Sequence, residues 1–386
     1  MFLNKIMEKN SKLIEASFRL HQEGKILPDS YVIDLDTLFQ NAKAILKQGQ
    51  KENIELYFML KQLGRNPLIA KELVKMGYKG AVVVDFKEAL VMMKHHIPIS
   101  NVGHLVQAPK SLIQALVDYG CDYFTVFSIE KIKEINECAK KVNKVQPLLL
   151  KVVGKEDMIY SGQTAGFRLE ELASLAQQME GFDHVSIQGV TSFPCFLYDE
   201  KEEKINATNN LDTLFKAKEI LKKNGIVIKN INAPSTTSVF TLKQMKNYSV
   251  NSGEPGHGLT GTTPLHAYKD CVEVPCVAYV SEISHNFDGH AYCYGGGHYR
   301  RSHVKQALVG KNLKNAKKVD IIPSSDESID YYFEIPTPCT ISDTVVMSFR
   351  YQIFVTRSQV VLVRGISSDN PKIAGIYSSL GDVYDG

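Results

Sequence analysis

Lys61 stands directly after the apolar run Tyr57-Phe58-Met59-Leu60. A lysine at the end of a buried strand meets a half-dry environment, where desolvation favours the neutral amine and makes it nucleophilic toward a carbonyl. Alone, such a lysine would serve equally well as the surface residue that opens the next loop. Two segments much later in the chain supply what it would face. Ala233-Pro234-Ser235-Thr236-Thr237-Ser238 is rich in hydroxyls, and Gly253-Glu254-Pro255-Gly256-His257-Gly258 offers backbone N–H groups that glycine leaves accessible. Gly and Pro content would account for both as plain turns. An amine opposite a phosphate cup is nonetheless the arrangement that a phosphorylated aldehyde needs, the cup holding the phosphate and the lysine carrying the aldehyde.

The elements that would position these groups are legible from the hydrophobic pattern. From about residue 31 the chain alternates short β-branched runs with longer stretches of helical period. A lead-in strand over 31–38 precedes eight strand candidates: 54–60, 80–85, 101–106, 123–128, 147–153, 185–193, 228–235 and 249–256. Near-continuous apolar strands separated by helical crossovers indicate a parallel sheet buried on both faces. Eight such units in about 230 residues match a (β/α)8 TIM barrel, which typically takes ~250. The alternative, an open doubly wound sheet, lacks a G-x-G-x-x-G after an early strand. Active sites of such barrels lie where the strands end, and phosphates bind after strands 7 and 8. Lys61 ends strand 1, the Ser235 loop follows strand 7 and the Gly256 loop follows strand 8. After residue 265 successive strands with Gly- and Ser-rich turns indicate a mostly β C-terminal domain. The organisation expected is therefore an amphipathic helix over 1–30, the barrel over 31–265 and the β domain over 266–386.

Composition excludes several classes. The 386 residues are 44% hydrophobic and 23% charged with a net charge of +3, as in an ordinary globular protein without a basic tract for nucleic acid or membrane surfaces. Seven scattered cysteines form no C-x-x-C pair, which argues against a disulfide framework and for a reducing compartment. The charged N-terminus does not read as a signal peptide, and no stretch has the length of a membrane span, so a cytoplasmic location is expected.

The order of these segments resembles the fold type III pyridoxal 5′-phosphate (PLP) enzymes, which include alanine racemase and the ornithine and diaminopimelate decarboxylases. The likeness runs over most of residues 30–350, from Val32-Ile33-Asp34-Leu35-Asp36 onward, and the whole chain looks similar to the YhfX-like, alanine-racemase-like bacterial proteins. It implies that Lys61 carries PLP and that Ser235, Thr236, Gly253, Gly256 and His257 hold its phosphate. Gly253-Glu254-Pro255-Gly256 is similar to the decarboxylases' E-P-G-R, which implies that Glu254 meets the pyridine nitrogen. The Arg of that motif is His257 here, and alanine racemases carry Arg where this chain has Glu254. Lys151 matches a lysine that racemases keep beside the site, Thr164 falls where they have Arg, and Ser192 falls where their His lies against the cofactor ring.

In the β domain, Tyr294-Gly295-Gly296 is similar to the stretch bearing the racemases' catalytic tyrosine, which serves the partner subunit's site. Pro338-Cys339-Thr340-Ile341-Ser342-Asp343 resembles the decarboxylases' P-x-C-E-S-G-D, with Thr340 in place of Glu. The resemblance thus implies a homodimer with shared sites. His298, His303 and Tyr299 have no carboxylate or Cys in a metal-ligand spacing, so no metal site is expected. The expected function is an amino-acid racemase or epimerase with Lys61 and Tyr294 as bases and Cys339 behind them. An α-decarboxylase and a non-catalytic PLP-binding homeostasis protein are the alternatives.

Overall fold

A computed structural model describes residues 2–384 and divides the chain into two compact units. One comprises Ile45–Leu60 and Pro67–Gly256; the other comprises Met1–Ala44, Lys61–Asn66 and His257–Gly386.

The first unit is a closed parallel barrel. Its strands are Glu55–Leu56, Ala81–Val82, Ile99–Val102, Tyr123–Val126, Gln146–Val153, Val185–Thr191, Asn230–Asn232 and Ser252–Gly253. From the second strand onward each pairs in parallel with the next, and the last pairs with the first. A parallel bridge between Phe58 and Ala81 closes the ring. All eight strands expected from the sequence are present, most of them shorter than the apolar runs that announced them. Some of the helices between them are started by side chains that accept a first-turn N–H. Asp85 accepts from Glu88, Ser128 from Lys131 and Ser238 from Thr241. Gly120 ends the helix Lys110–Tyr119 in the left-handed conformation.

The second unit is built on a sheet of mixed direction. The strand Ser30–Asp34 lies in its middle, antiparallel to Val277–Phe287 and parallel to Gln359–Arg364. The strand Thr344–Met347 continues the sheet beyond Val277–Phe287, and Lys372–Ser378 flanks the far side of Gln359–Arg364. The lead-in strand, expected ahead of the eight barrel strands, thus pairs within the sheet of the second unit. Its five residues are all buried. The expected single N-terminal helix is two, Leu3–Lys9 and Ser11–Gln22, broken at Asn10, whose side chain caps the second. Leu13, Ile14 and Phe18 of that second helix pack with Val32, Val280 and Val361 into one buried cluster. Among the described residues no helix is long and apolar enough to cross a membrane.

Lys61 opens a short 3-10 turn, Lys61–Leu63, and the segment Lys61–Asn66 clusters with the β unit. Gly64 makes that turn possible. Its φ is +63°, and a Cβ there would sit 2.9 Å from Val360 Cγ2. Arg65 then lies over the Phe354 ring at 5.3 Å.

Candidate active site

The period of two along a strand places residues i and i+2 on one face, and in the barrel this builds two polar layers. In the lower one, Ser252 Oγ donates to Asn230 Oδ1 (2.6 Å), and Asn230 Nδ2 donates to the Tyr57 hydroxyl (3.1 Å). Two residues further along each strand comes the upper layer. Thr191 Oγ1 donates to Asn232 Oδ1 (2.9 Å), and Asn232 Nδ2 donates to Glu254 Oε1 (2.8 Å). The backbone N–H of Glu254 donates to Thr237 Oγ1 (3.3 Å). His104, just past the third strand, brings Nε2 to 3.9 Å from Glu254 Oε2. Thr191, Asn232, Glu254 and His104 are all buried. Glu254 thus ends the eighth strand as a buried carboxylate inside a hydrogen-bonded array, not as a solvated turn residue.

Around this array the other expected residues take distinct places. The Met59 N–H donates to the Pro255 carbonyl (3.0 Å), so strand 1 runs beside the Glu254 segment until two residues before Lys61. Ser235 and Thr236 both have positive φ, +113° and +48°. Successive residues in unusual backbone conformations can turn N–H groups toward one point, the geometry of anion nests. The Thr236 carbonyl is pinned by Thr241 Oγ1 (2.6 Å), and Thr236 Oγ1 is buried with no hydrogen-bond partner. Gly253 lies close under Thr237, whose Cγ2 would be 3.2 Å from a Cβ there. Gly256 is buried at the end of the same segment.

Ser192 is buried, its Oγ accepting from Asn210 Nδ2 (3.1 Å). Next to it Phe193 meets the rings of His104 (6.1 Å) and Tyr160 (5.6 Å). Lys151 pairs in register with Thr191, donates to the Gln163 carbonyl (3.0 Å) and lies over Phe127 at 4.9 Å. Burial holds its amine below the usual lysine range.

In the other unit His257 pairs Nδ1 with Thr262 Oγ1 (2.9 Å), and Gln352 Nε2 lies 3.4 Å from its Nε2. Burial, then the charges of Arg350 and Lys61, hold it well below the ordinary histidine range. Desolvation thus favours the neutral form of the His257 ring. Tyr294 ends the strand His290–Tyr294, 37% exposed, with Tyr332 beside it at 6.0 Å. It borders a cavity of about 300 Å³ also lined by Asp29, Tyr331 and Arg357. Cys339 lies in a loop held by Asn286, and burial followed by Asp343 raises its thiol above the usual range. A raised thiol is a poor nucleophile at neutral pH.

Comparison with known proteins gives the family and the fold. Residues 33–264 match the family described as alanine racemase, N-terminal domain, and residues 278–373 match the YhfX-like C-terminal domain. The YhfX protein of Escherichia coli (strain K12) is 44% identical over 388 residues, covering 99% of both chains. The chain belongs to the YhfX-like branch of the alanine racemase family. Its fold is alanine racemase-like. The alanine racemase of Clostridium difficile 630, in complex with cycloserine, superposes with a TM-score of 0.64 at 17% identity, over 92% of this chain and 99% of that one. A diaminopimelate decarboxylase (M. jannaschi) superposes with a TM-score of 0.67 at 15% identity, over 89% and 88%. At such identities the two likenesses speak for the fold alone. For the YhfX-like chain, His104, Asn232 and Thr191 are members of this buried array that the sequence reading did not single out. A signal for one existed: Asn230 and Asn232, two apart in the run IKNINAPS, mark a polar inner face.

Proposed function

We propose that this chain is a PLP-dependent amino-acid racemase or epimerase. The family generally uses PLP, and the observation that carries the reading is the end of strand 8. There a buried carboxylate, Glu254, is held by Asn232 in a hydrogen-bonded array. The residues fit the cofactor. A hydroxyl with no partner, Thr236 Oγ1, sits on a left-handed loop suited to a phosphate, with Ser235, Gly253 and Gly256 beside it. Glu254 would meet the pyridine nitrogen and Lys61 the aldehyde. When bound, PLP supplies an electron sink that acidifies the α-carbon of an attached amino acid.

The protein's own residues do the rest. Lys61, half-buried at the start of its turn, takes or returns the α-proton on one face. Tyr294 of a partner subunit serves the other face in a homodimer, with Cys339 behind it. The neutral His257 is left to brace the phosphate segment through Thr262.

Glu254 and Cys339 also favour a second reading, an α-decarboxylase. Incubation of the PLP-loaded protein with D- and L-amino acids in D2O separates the two. Racemisation gives α-deuteration and loss of optical rotation without CO2, whereas CO2 release would replace the first reading by the second. Purified protein should hold PLP in a form that borohydride fixes to the peptide containing Lys61. A Lys61→Ala protein that still forms a reducible adduct elsewhere would overturn the lysine assignment.

A further inference from the structure

We infer that Asn232, aligned by Thr191, is a positioning residue that keeps Glu254 ionised and presents its second oxygen to a protonated nitrogen. An amide side chain can meet a carboxylate with either end, and only the N–H end attracts it. The ionised carboxylate selects that end, and Thr191 reinforces it. Its hydroxyl donates to Asn232 Oδ1 at 2.9 Å while the Asn232 NH2 group meets Glu254 Oε1 at 2.8 Å. The strands enforce the alignment, because Thr191 and Asn232 are register partners on neighbouring parallel strands. Asn232, Thr191 and Glu254 are 0%, 0% and 4% exposed, so water does not replace a lost partner. Hydrogen bonds to a carboxylate favour its charged form, and they are worth more where solvent is excluded.

With Oε1 occupied by Asn232, Oε2 is the oxygen on the His104 side, 3.9 Å from Nε2. His104 Nε2 lies on the Oε2 side, and the buried thiol of Cys195, which feels the charge of Glu254, donates to the Ser192 carbonyl, so the relay through Asn232 is separable from both. The ring-nitrogen part of the inference rests on the PLP reading above; the ionisation of Glu254 does not.

The test uses the full-length chain with and without PLP. In the apo protein, 13C NMR of labelled glutamate follows the Glu254 carboxyl, assigned by its loss in Glu254→Gln. Asn232→Ala and the near-isosteric Thr191→Val should both move its titration to higher pH. Thr191→Ser, which keeps the hydroxyl, should leave it at the wild-type position. The loss of one charge-assisted hydrogen bond corresponds to about one to two pH units for Asn232→Ala, with a smaller step for Thr191→Val. In the loaded protein, the nitrogen signal of 15N-labelled PLP should shift from the pyridinium position toward the neutral one in the same order. A proton shared between the ring and Oε2 passes to the carboxylate once Asn232 no longer stabilises the anion.

Identical Glu254 titration in wild type and Thr191→Val, with both folded by circular dichroism, would overturn the inference even if Asn232→Ala fails to fold. A shifted titration in a chain whose Lys61 takes up no PLP would uphold the relay while overturning the proposed function.

Discussion

A carboxylate 4% exposed at a barrel mouth is costly unless it is hydrogen-bonded, and Glu254 meets that condition through Asn232. The cost suggests that the charge is kept for use. Glu254→Gln retains the shape and removes the charge, so it should lower turnover more than it weakens PLP binding. A lost charge-assisted hydrogen bond is worth roughly 1.5–3 kcal/mol, which is about ten- to a hundredfold if it falls wholly on the transition state. Steady-state kinetics beside a PLP titration checks this. Turnover near wild type with an unchanged cofactor spectrum across pH would reduce Glu254 to a strand-end support. Lys61, Glu254, Ser235 and Thr236 stand out in the sequence as candidates because type and place in the repeat coincide. His104 does not, since a histidine in an apolar stretch looks the same whether or not a carboxylate lies across the barrel.

At the scale of elements, the barrel depends on close approach between strands. Gly189 shows this best. A Cβ there would stand 2.3 Å from Leu149 Cδ2 and 2.6 Å from the Asn230 carbonyl oxygen. The leucine can turn aside, but the carbonyl belongs to the neighbouring strand and cannot. Gly189→Ala should therefore destabilise the protein by about 1–3 kcal/mol, as overpacking does, and loosen the register that aligns Thr191 with Asn232. The midpoint of urea unfolding measures it, and an unchanged midpoint would show that the strands can part at this point without cost. The eight strands were legible because buried parallel strands are continuous apolar runs. The placement of Ser30–Asp34 was not, because apolar alternation says that a strand is buried and nothing about which sheet takes it.

For the whole molecule, the proposed sharing of sites between subunits has a simple consequence. Inactive Lys61→Ala and inactive Tyr294→Phe chains, once mixed and exchanged, should regain roughly a quarter of wild-type sites, because half the dimers are mixed and each has one site with both intact halves. No recovery despite proven exchange would place Tyr294 outside the reaction. Stability should also carry a signature of the β unit. Asp29 is pushed up to about 6 by burial, against hydrogen bonds from the Ser358 and Tyr279 hydroxyls and the charge of Arg357, with Asp330 adding to the rise. The folded chain thus holds this proton after the unfolded chain has released it. This contribution to stability is largest below about pH 4 and is lost as pH rises toward 6. Asp29→Asn should flatten that part of the curve of urea midpoint against pH; an unaltered slope would mean that other groups set it.

What the sequence determined by itself was periodic or local. The strand–helix repeat, the β-rich end, the lysine after strand 1 and the hydroxyl and glycine loops after strands 7 and 8 are all written in nearest-neighbour patterns. What only the tertiary structure decided was pairing across distance. It moved the first strand into the β sheet, turned His257 toward Thr262, and set Thr191, Asn232 and Glu254 in one line. These residues are 41 and 22 positions apart in the chain. Closing the barrel brings them within hydrogen-bond reach, and no local pattern encodes that closure.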